Sequence, residues 1–356
     1  MIKRRKTRQI RVGTVKLGSR HPIAIQSMTK VPTTDVARCV RQVNQMVSAG
    51  CSLVRIAVPR RADTEAFAKI VDRVNIPLVA DIHFSTDRAV EAIEAGAAKI
   101  RLNPGNIRSA ADINRVIDAA KQHKVAIRIG VNEASIRDLK GLPVPFNKRI
   151  ALMLKEIRKY IHLFDKRGFD QLVLSSKSTD TYRTIEINQR IAGAFDFPLH
   201  VGLTHAGLPD DALIPSAVAL GTLFSQGIGD TMRVSVAGDP VIETKIACDI
   251  LTSLGLRNRT TPELIVCPTC GRTEIDVIKL AKRVKKGLTH VTQPVRIAVM
   301  GCVVNGPGEA QDADLAVCAG KSKAFLYKDG QKIAVVPEAK LIETLLEEID
   351  KLSSES

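Results

Sequence analysis

Apolar, largely β-branched runs recur along the first two thirds of the chain at Ile23–Met28, Leu53–Val58, Leu78–Ile82, Ala98–Asn103, Ala126–Val131, Gln171–Lys177, Leu199–Thr204 and Thr231–Ala237. Each is followed by a stretch with apolar positions at helical spacing. The first such stretch places Val36, Val40, Val43 and Val47 three or four apart and stops at Gly50. Eight strand–helix units in succession predict an α/β fold, a TIM (β/α)8 barrel, over residues 1–254. The segment Asp138–Asn147, with Gly141, Pro143 and Pro145, falls in the fifth strand-to-helix loop and so on the functional face. Residues 263–352 read differently: strand Glu263–Val266, helix Glu274–Val284, strand Val295–Met300, a meander of Ala324–Tyr327 and Lys332–Val336, and a closing helix Glu338–Leu352. This predicts a smaller α+β, reductase-like domain, with Ser353–Ser356 a disordered tail.

Within the barrel strands, period two decides which side chains face inward. In Leu53–Val58 the apolar Val54, Ile56 and Val58 must meet the helices, which turns Arg55 into the barrel. The same parity turns in Gln26, Asp81, Arg101 with Asn103, Arg128 with Asn132, Ser175 with Lys177, and Arg233 with Ser235, together with His83 and His200. Barrel interiors are normally filled by valine, isoleucine and leucine, so charges on six strands are a costly departure. Asp81 could pair with one arginine, but one carboxylate cannot neutralise Arg55, Arg101, Arg128, Lys177 and Arg233. A bound polyanion is therefore predicted. Arginine forks with amide side chains between them suit a compact diphosphate, whose oxygens they grip bidentately.

Composition narrows the setting. At 356 residues and 45% hydrophobic content the chain can bury one barrel and a second domain. Lys3-Arg4-Arg5-Lys6 runs into polar sequence rather than a signal peptide, and seven cysteines without such a leader point to a reducing cytoplasm. No apolar stretch has the length of a membrane span, so no membrane partner is expected. A net charge of +16 raises nucleic-acid binding, but 3% aromatic content and no tryptophan leave few base-stacking platforms. The surplus suits a small polyanionic substrate or an acidic electron-carrier protein. The Lys3–Arg11 cluster itself reads as a solvated edge.

Three cysteines gather late in the chain: Cys267-Pro-Thr-Cys270, and Cys302 in a string that continues through Asn305-Gly-Pro-Gly to Glu309. A CxxC pair sets two thiols on one side of a turn, and a third leaving a strand can close on the same metal. The fourth ligand is either Glu309 or Cys318, which lies in the apolar run Leu315-Ala-Val-Cys318. A lone CxxC is more often a zinc knuckle or a pair of packed thiols. Zinc sites close with four nitrogen or sulfur ligands, whereas a replaceable carboxylate suits an iron–sulfur cluster used on a substrate. Cys39, Cys51 and Cys248 read as core thiols.

The string Gly301 to Glu309 resembles the cluster-binding segment of the bacterial 4-hydroxy-3-methylbut-2-enyl diphosphate synthases, iron–sulfur enzymes of non-mevalonate isoprenoid synthesis. Further matches follow in the family's order: Ile25-Gln26-Ser27-Met28-Thr29, Val79 to Phe84, Arg101 to Ile107, Arg128 to Asn132, and Gly227 to Arg233. The resemblance implies a two-domain oxidoreductase of the cytoplasm. Its reaction is the two-electron reductive ring opening, with loss of water, of 2-C-methyl-D-erythritol 2,4-cyclodiphosphate. It also implies a 4Fe-4S cluster on Cys267, Cys270, Cys302 and Glu309, and flavodoxin or ferredoxin as electron donor. By motif match the substrate residues would be Arg55, Arg101, Asn103, Arg128, Asn132, Lys177 and Ser235, with Arg233 beside them by parity. Asp81, Lys177, His205 and Glu309 would serve the chemistry. One position departs: the family usually carries glutamate where Gly202 to Gly207 has His205, which leaves the proton donor open, although histidine can donate near neutral pH.

Two other classes compete, a Schiff-base aldolase using Lys177 with structural zinc on the cysteines, and a zinc-ribbon RNA-binding protein. A last expectation is quaternary. The linker Gly255–Pro262 spans at most ~28 Å at about 3.5 Å per residue, too short to climb a helix-length wall and cross to the barrel axis. A head-to-tail homodimer, each cluster domain closing the partner's barrel, is expected and is also implied by the resemblance.

Overall fold

The computed structural model describes residues 2–82, 85–102, 109–132, 144–204, 207–303, 308, 311–320 and 323–354. The chain divides into two compact units, Met1–Arg257 and Asn258–Ser356. The first opens with a short antiparallel hairpin, β1 (Ile10–Val12) and β2 (Val15–Leu17). Eight parallel strands follow: β3 (Ala24–Met28), β4 (Leu53–Ala57), β5 (Leu78–Ile82), β6 (Lys99–Leu102), β7 (Ala126–Asn132), β8 (Leu172–Lys177), β9 (His200–Val201) and β10 (Thr231–Met232). Their order is β8-β7-β6-β5-β4-β3-β10-β9, and a parallel bridge from Leu174 to Leu199 closes the ring. The helices are α1 (Val36–Ser48), α2 (Arg61–Val71), α3 (Thr86–Glu94), α4 (Ala110–Gln122), α5 (Phe146–Asp165), α6 (Thr181–Ala194), α7 (Pro209–Ser225) and α8 (Pro240–Ser253). Side chains of Asp35, Ser85, Ser109, Asp180 and Asp239 accept backbone N–H groups at the starts of five of these helices, which fixes where each begins.

Two apolar layers hold the barrel. Val54, Ile56 and Val58 pack outward with Val43, Met46, Phe67 and Ile70 of α1 and α2, as strand parity requires. Below, Ile10, Val12 and Leu17 of the hairpin plug the end where the strands begin, against Ala24, Leu53, Val79, Ala126 and Val173. The basic N-terminal segment is not simply a solvated edge. Arg4 reaches Asp230 at 2.8 Å and the Gly229 carbonyl at 3.1 Å, and Arg5 reaches the Phe197 carbonyl at 2.8 Å. Those carbonyls have no strand partner, so two arginines of the cluster lace the hairpin's entry to the barrel while Lys3, Lys6 and Arg8 stay exposed. The last two strands are shorter than their apolar runs suggest. Beyond Val201 a side chain at Gly202 would stand 2.2 Å from the Arg233 carbonyl, so the backbones touch there instead of continuing as a ladder.

The second unit is a five-stranded sheet in the order β11 (Glu263–Val266), β12 (Arg296–Met300), β13 (Leu315–Ala319), β14 (Lys323–Lys328), β15 (Gln331–Pro337). The first three run parallel and the last two antiparallel. Helices α9 (Val277–Gly287) and α10 (Leu341–Ser354) share its apolar core through Leu280, Val284, Leu341 and Leu345. The run ending in Cys318 is thus the buried central strand, between β12 and β14.

Candidate active site

Above the apolar plug, the barrel interior is polar. An open cavity of about 700 Å³ at the strand C-terminal ends is lined by Arg55, Asp81, Arg101, Arg128, Ser175, Lys177, Arg233 and Ser235, with Met28, Lys30, Gly130 and Thr204 between them. Parallel register sets this ring: Ala57 pairs Asp81, Asp81 pairs Arg101, and Arg101 pairs Arg128 on successive strands. The backbone places Asn132 at the end of β7, opposite Lys177. Asn103, His83, His205 and Glu309 lie outside the described residues.

Asp81 lies between two cations, 3.7 Å from Arg55 Nε and 3.5 Å from Arg101 Nη1. Arg55 also directs Nε and Nη2 at the Met28 sulfur, at 3.1 and 3.0 Å. Burial, against the attraction of Asp81, pulls the Arg55 guanidinium down to about 10. A second carboxylate enters from outside the strands. Glu243 of α8 takes a bidentate pair from Arg233 at 3.1 Å on both arms, meets Lys30 at 2.8 Å and accepts Ser27 at 2.8 Å. The expectation of a single interior carboxylate is corrected here. Period-two reading covers strands only, and a glutamate near a helix start looks like a dipole complement. Lys30, just past the end of β3, escaped the same reading.

Even with Glu243, cations dominate. Lys99, fully buried below the cavity floor, joins Arg55, Arg101, Arg128, Lys177, Arg233 and Lys30. It shares its strand parity with Arg101, so the alternation that turned Arg101 inward applies to it as well. Its Nζ has no hydrogen-bond partner among the described residues, nor have Nε and Nη1 of Arg128, either polar atom of Gln26, or Nε2 of His200. Burial first and then the Arg128 charge push Lys99 and Lys177 well below the ordinary lysine value. Arg128 is lowered by burial and by Arg55 and Arg101. His200, whose Nδ1 lies 3.4 Å from Thr231 Oγ1, is driven toward its neutral form by burial and by Arg128. Such a cluster is stable in charged form only when an anion sits among it.

In the second unit the three cysteines stand at the ends of two paired parallel strands. Cys267 follows β11 and donates its backbone N–H to Val299 of β12, while Cys302 lies two residues beyond β12. Thr269, at φ +65°, turns the CxxC loop so that its N–H points at the Cys267 sulfur, 3.4 Å away. Thr273 then ties Cys270 down, its Oγ1 accepting the Cys270 N–H at 3.0 Å. Gly301 is required: a Cβ there would meet Val277 at 2.3 Å and Thr273 at 3.0 Å. Among the described residues no three His, Cys, Asp or Glu side chains stand close enough together to hold a metal ion. The donor set nonetheless fits an iron–sulfur group, being three soft thiols at one sheet edge with a backbone N–H directed at one sulfur. Cys318, fully buried in β13, has its thiol pushed up to about 12 by burial and by neighbouring Cys302. Cys39 and Cys51 are buried in the barrel core and Cys248 packs at its edge.

Comparison with known proteins agrees with this layout. The GcpE TIM-barrel domain matches residues 7–248 and the GcpE protein C-terminal domain matches residues 263–351. The chain is 44% identical over 360 residues to 4-hydroxy-3-methylbut-2-en-1-yl diphosphate synthase (flavodoxin) of Caldanaerobacter subterraneus subsp. tengcongensis, covering 100% of both chains. It is 44% identical to the protein of the same name from Nitratidesulfovibrio vulgaris, covering 98% of this chain and 90% of the relative. Among solved structures, dihydropteroate synthase from Stenotrophomonas maltophilia superposes with a TM-score of 0.53 over 69% of this chain and 98% of its own at 16% identity, a likeness of fold alone. With both family models matched in order and full-length relatives at this identity, the chain belongs to the GcpE family of 4-hydroxy-3-methylbut-2-en-1-yl diphosphate synthases.

Proposed function

We propose that this protein opens 2-C-methyl-D-erythritol 2,4-cyclodiphosphate reductively to 4-hydroxy-3-methylbut-2-enyl diphosphate, an oxidoreductase step of isoprenoid precursor synthesis in the cytoplasm. Two electrons and two protons enter and one water leaves. The observation that carries the reading is the excess of seven interior cations over two carboxylates around one cavity. Arg55, Arg101, Arg128, Lys177 and Arg233 grip the diphosphate oxygens, and Asn103, Asn132 and Ser235 complete the cradle by hydrogen bonding. Arg233 is held by Glu243 and Arg101 by Asp81, so the forks are positioned before substrate arrives. Lys177 and His205 are the groups from which a proton reaches the leaving oxygen, Lys177 because burial and Arg128 make its proton easy to release. Asp81 fixes the Arg55 and Arg101 forks and stands among the groups that hold or protonate the substrate.

Cys267, Cys270, Cys302 and Glu309 would hold a 4Fe-4S cluster, which when bound supplies the two electrons one at a time. Flavodoxin, the word in the relatives' names, or a ferredoxin serves as donor. The assembly is a homodimer in which one chain's cluster serves the partner's barrel. Among the described residues no helix is long and apolar enough to cross a membrane.

Anaerobic preparation tests the reading. A brown protein bleached by dithionite that converts the cyclic diphosphate is the expected result, whereas a colourless protein with stoichiometric zinc would reject it. Glu309→Gln should keep much of the cluster colour but lose turnover, and Cys318→Ser should leave both nearly intact. The opposite pattern would make the site a four-cysteine one.

A further inference from the structure

Charge in the second unit is segregated in a way that substrate binding does not use. Helix α9 buries Val277, Leu280, Ala281 and Val284. It turns Ile278, Lys279, Lys282, Arg283, Lys285 and Lys286 to solvent, so that five of six outward side chains are cations and none is an acid. Among the described residues the ion pairs of this unit join Arg259 and Arg296 to Glu263 and Lys351 to Glu348, and leave all five unpaired. The neighbouring α10 is the reverse, with Glu343, Glu347, Glu348 and Asp350 against one Lys351. The two helices lie side by side, Leu346 filling the space over Gly287. A helix that only needed solubility would mix its charges, since unpaired like charges three and four apart destabilise it by a few tenths of a kcal/mol per pair.

The helix starts beside the cysteines, after the exposed acids Glu274 and Asp276. Val277, the first residue of α9, packs on Gly301 beside Cys302, and Thr273, which ties down Cys270, packs on the same glycine. Cys270 and the adjacent Arg272 are both exposed. The helix is about 16 Å long at 1.5 Å per residue, the scale of the small interfaces typical of transient redox encounters. Basic α9 beside acidic α10 makes a local dipole. An acidic partner is drawn to one side and turned from the other, which raises encounter rate and fixes orientation without tight binding.

We propose that the outward face of α9, with Arg272, is the docking surface for a small acidic one-electron carrier protein of the flavodoxin class, delivering at the sheet edge where Cys267, Cys270 and Cys302 lie. This rests on the reading above that the enzyme is reduced through those cysteines. Each encounter passes one electron, so two reduced carriers are oxidised per turnover and the protons come from solvent.

The test uses the full-length, anaerobically loaded enzyme with two reductants, reduced flavodoxin and dithionite with methyl viologen. Reversing Lys282, Arg283 and Lys286 to glutamate should raise the KM for flavodoxin at least tenfold and flatten the salt dependence of kcat/KM. Turnover with the small reductant should stay within twofold. A charge-matched control reverses Lys155, Arg158 and Lys159 on α5 and should leave the flavodoxin KM unchanged. An unchanged KM in the α9 variant, or an equal rise in the α5 variant, would overturn the proposal. Loss of wild-type turnover with both reductants would instead overturn the underlying assignment. If the α9 variant fails to fold, zero-length cross-linking of wild type to flavodoxin decides: cross-links are expected on Lys279 to Lys286, and their confinement to other lysines defeats the proposal.

Discussion

Lys99 shows how a single side chain reports on the site it supports. Its ammonium is fully buried with no hydrogen-bond partner among the described residues, and Arg128 and Arg55 are the charges that bear on it. In the empty barrel it is a net cost. Lys99→Met should therefore raise the unfolding free energy of the unliganded protein by about 1–3 kcal/mol, the penalty for burying an unsatisfied polar group. The sign of the pH effect follows from the direction of the shifts. Lys99, Lys177 and His200 all have lowered folded values, so the unfolded chain binds more protons and stability rises with pH through the interval up to their ordinary values. Glu243, held below the ordinary carboxylate value by Arg233 despite its burial, acts in the same direction at the acid end. The melting temperature of the unliganded protein should climb as pH rises toward the ordinary histidine and lysine values, and inorganic pyrophosphate should flatten that climb by supplying negative charge. A Lys99→Met variant less stable than wild type at every pH would show that the ammonium has a partner and that the cationic floor is not strained.

At the scale of elements, the hairpin of β1 and β2 is the part of the barrel that strand periodicity did not reveal. Ile10, Val12 and Leu17 are too few and too widely spaced to stand out from a basic segment, yet each is buried against the first turns of the barrel strands. Ile10→Ala should cost about 2–4 kcal/mol, as for other large-to-small core changes. Urea denaturation with an unchanged m-value is the check, and a loss under 0.5 kcal/mol would mean that the hairpin is only a cover. The barrel strands themselves were legible because a two-sided environment, helices outside and a polar cavity inside, writes itself as alternation. Arg55 between Val54 and Ile56 is the clearest instance. Glu243 and Lys30 were not, because their approach to Arg233 depends on how α8 and the β3 loop pack, which no local period encodes. The central strand Leu315–Ala319 was hidden for another reason. A fully buried run of five has no polar face to alternate with, and Cys318 drew it toward a ligand reading. Cys267, Cys270 and Cys302 stood out in the sequence as a candidate ligand set by residue type and by the CxxC spacing. Its supports, Thr273 and Gly301, show their roles only in contact.

At the scale of the whole molecule, the proposed homodimer stands on a length. Helix α8 runs antiparallel to its strand, so Ser253 ends it at the barrel end plugged by the hairpin, while Arg101 and Lys177 line the cavity at the opposite end. Eight linker residues, Gly255 to Pro262, reach at most ~28 Å at about 3.5 Å each. Climbing a wall of roughly 20 Å, the length of α8 at 1.5 Å per residue, would use most of that reach. If each barrel is served by its partner's cluster, two inactive variants can repair one another. Arg101→Ala removes a phosphate fork without touching the cysteines, and Cys270→Ser removes a cluster ligand without touching the barrel. Mixed and allowed to exchange subunits, they form heterodimers with one intact barrel facing one intact cluster. Statistical exchange of equal amounts should restore about a quarter of wild-type turnover per subunit, since half the dimers are mixed and each has one working site of two. Native mass spectrometry reports the exchange independently. Confirmed heterodimers with no recovered activity would reject the exchange of clusters between chains.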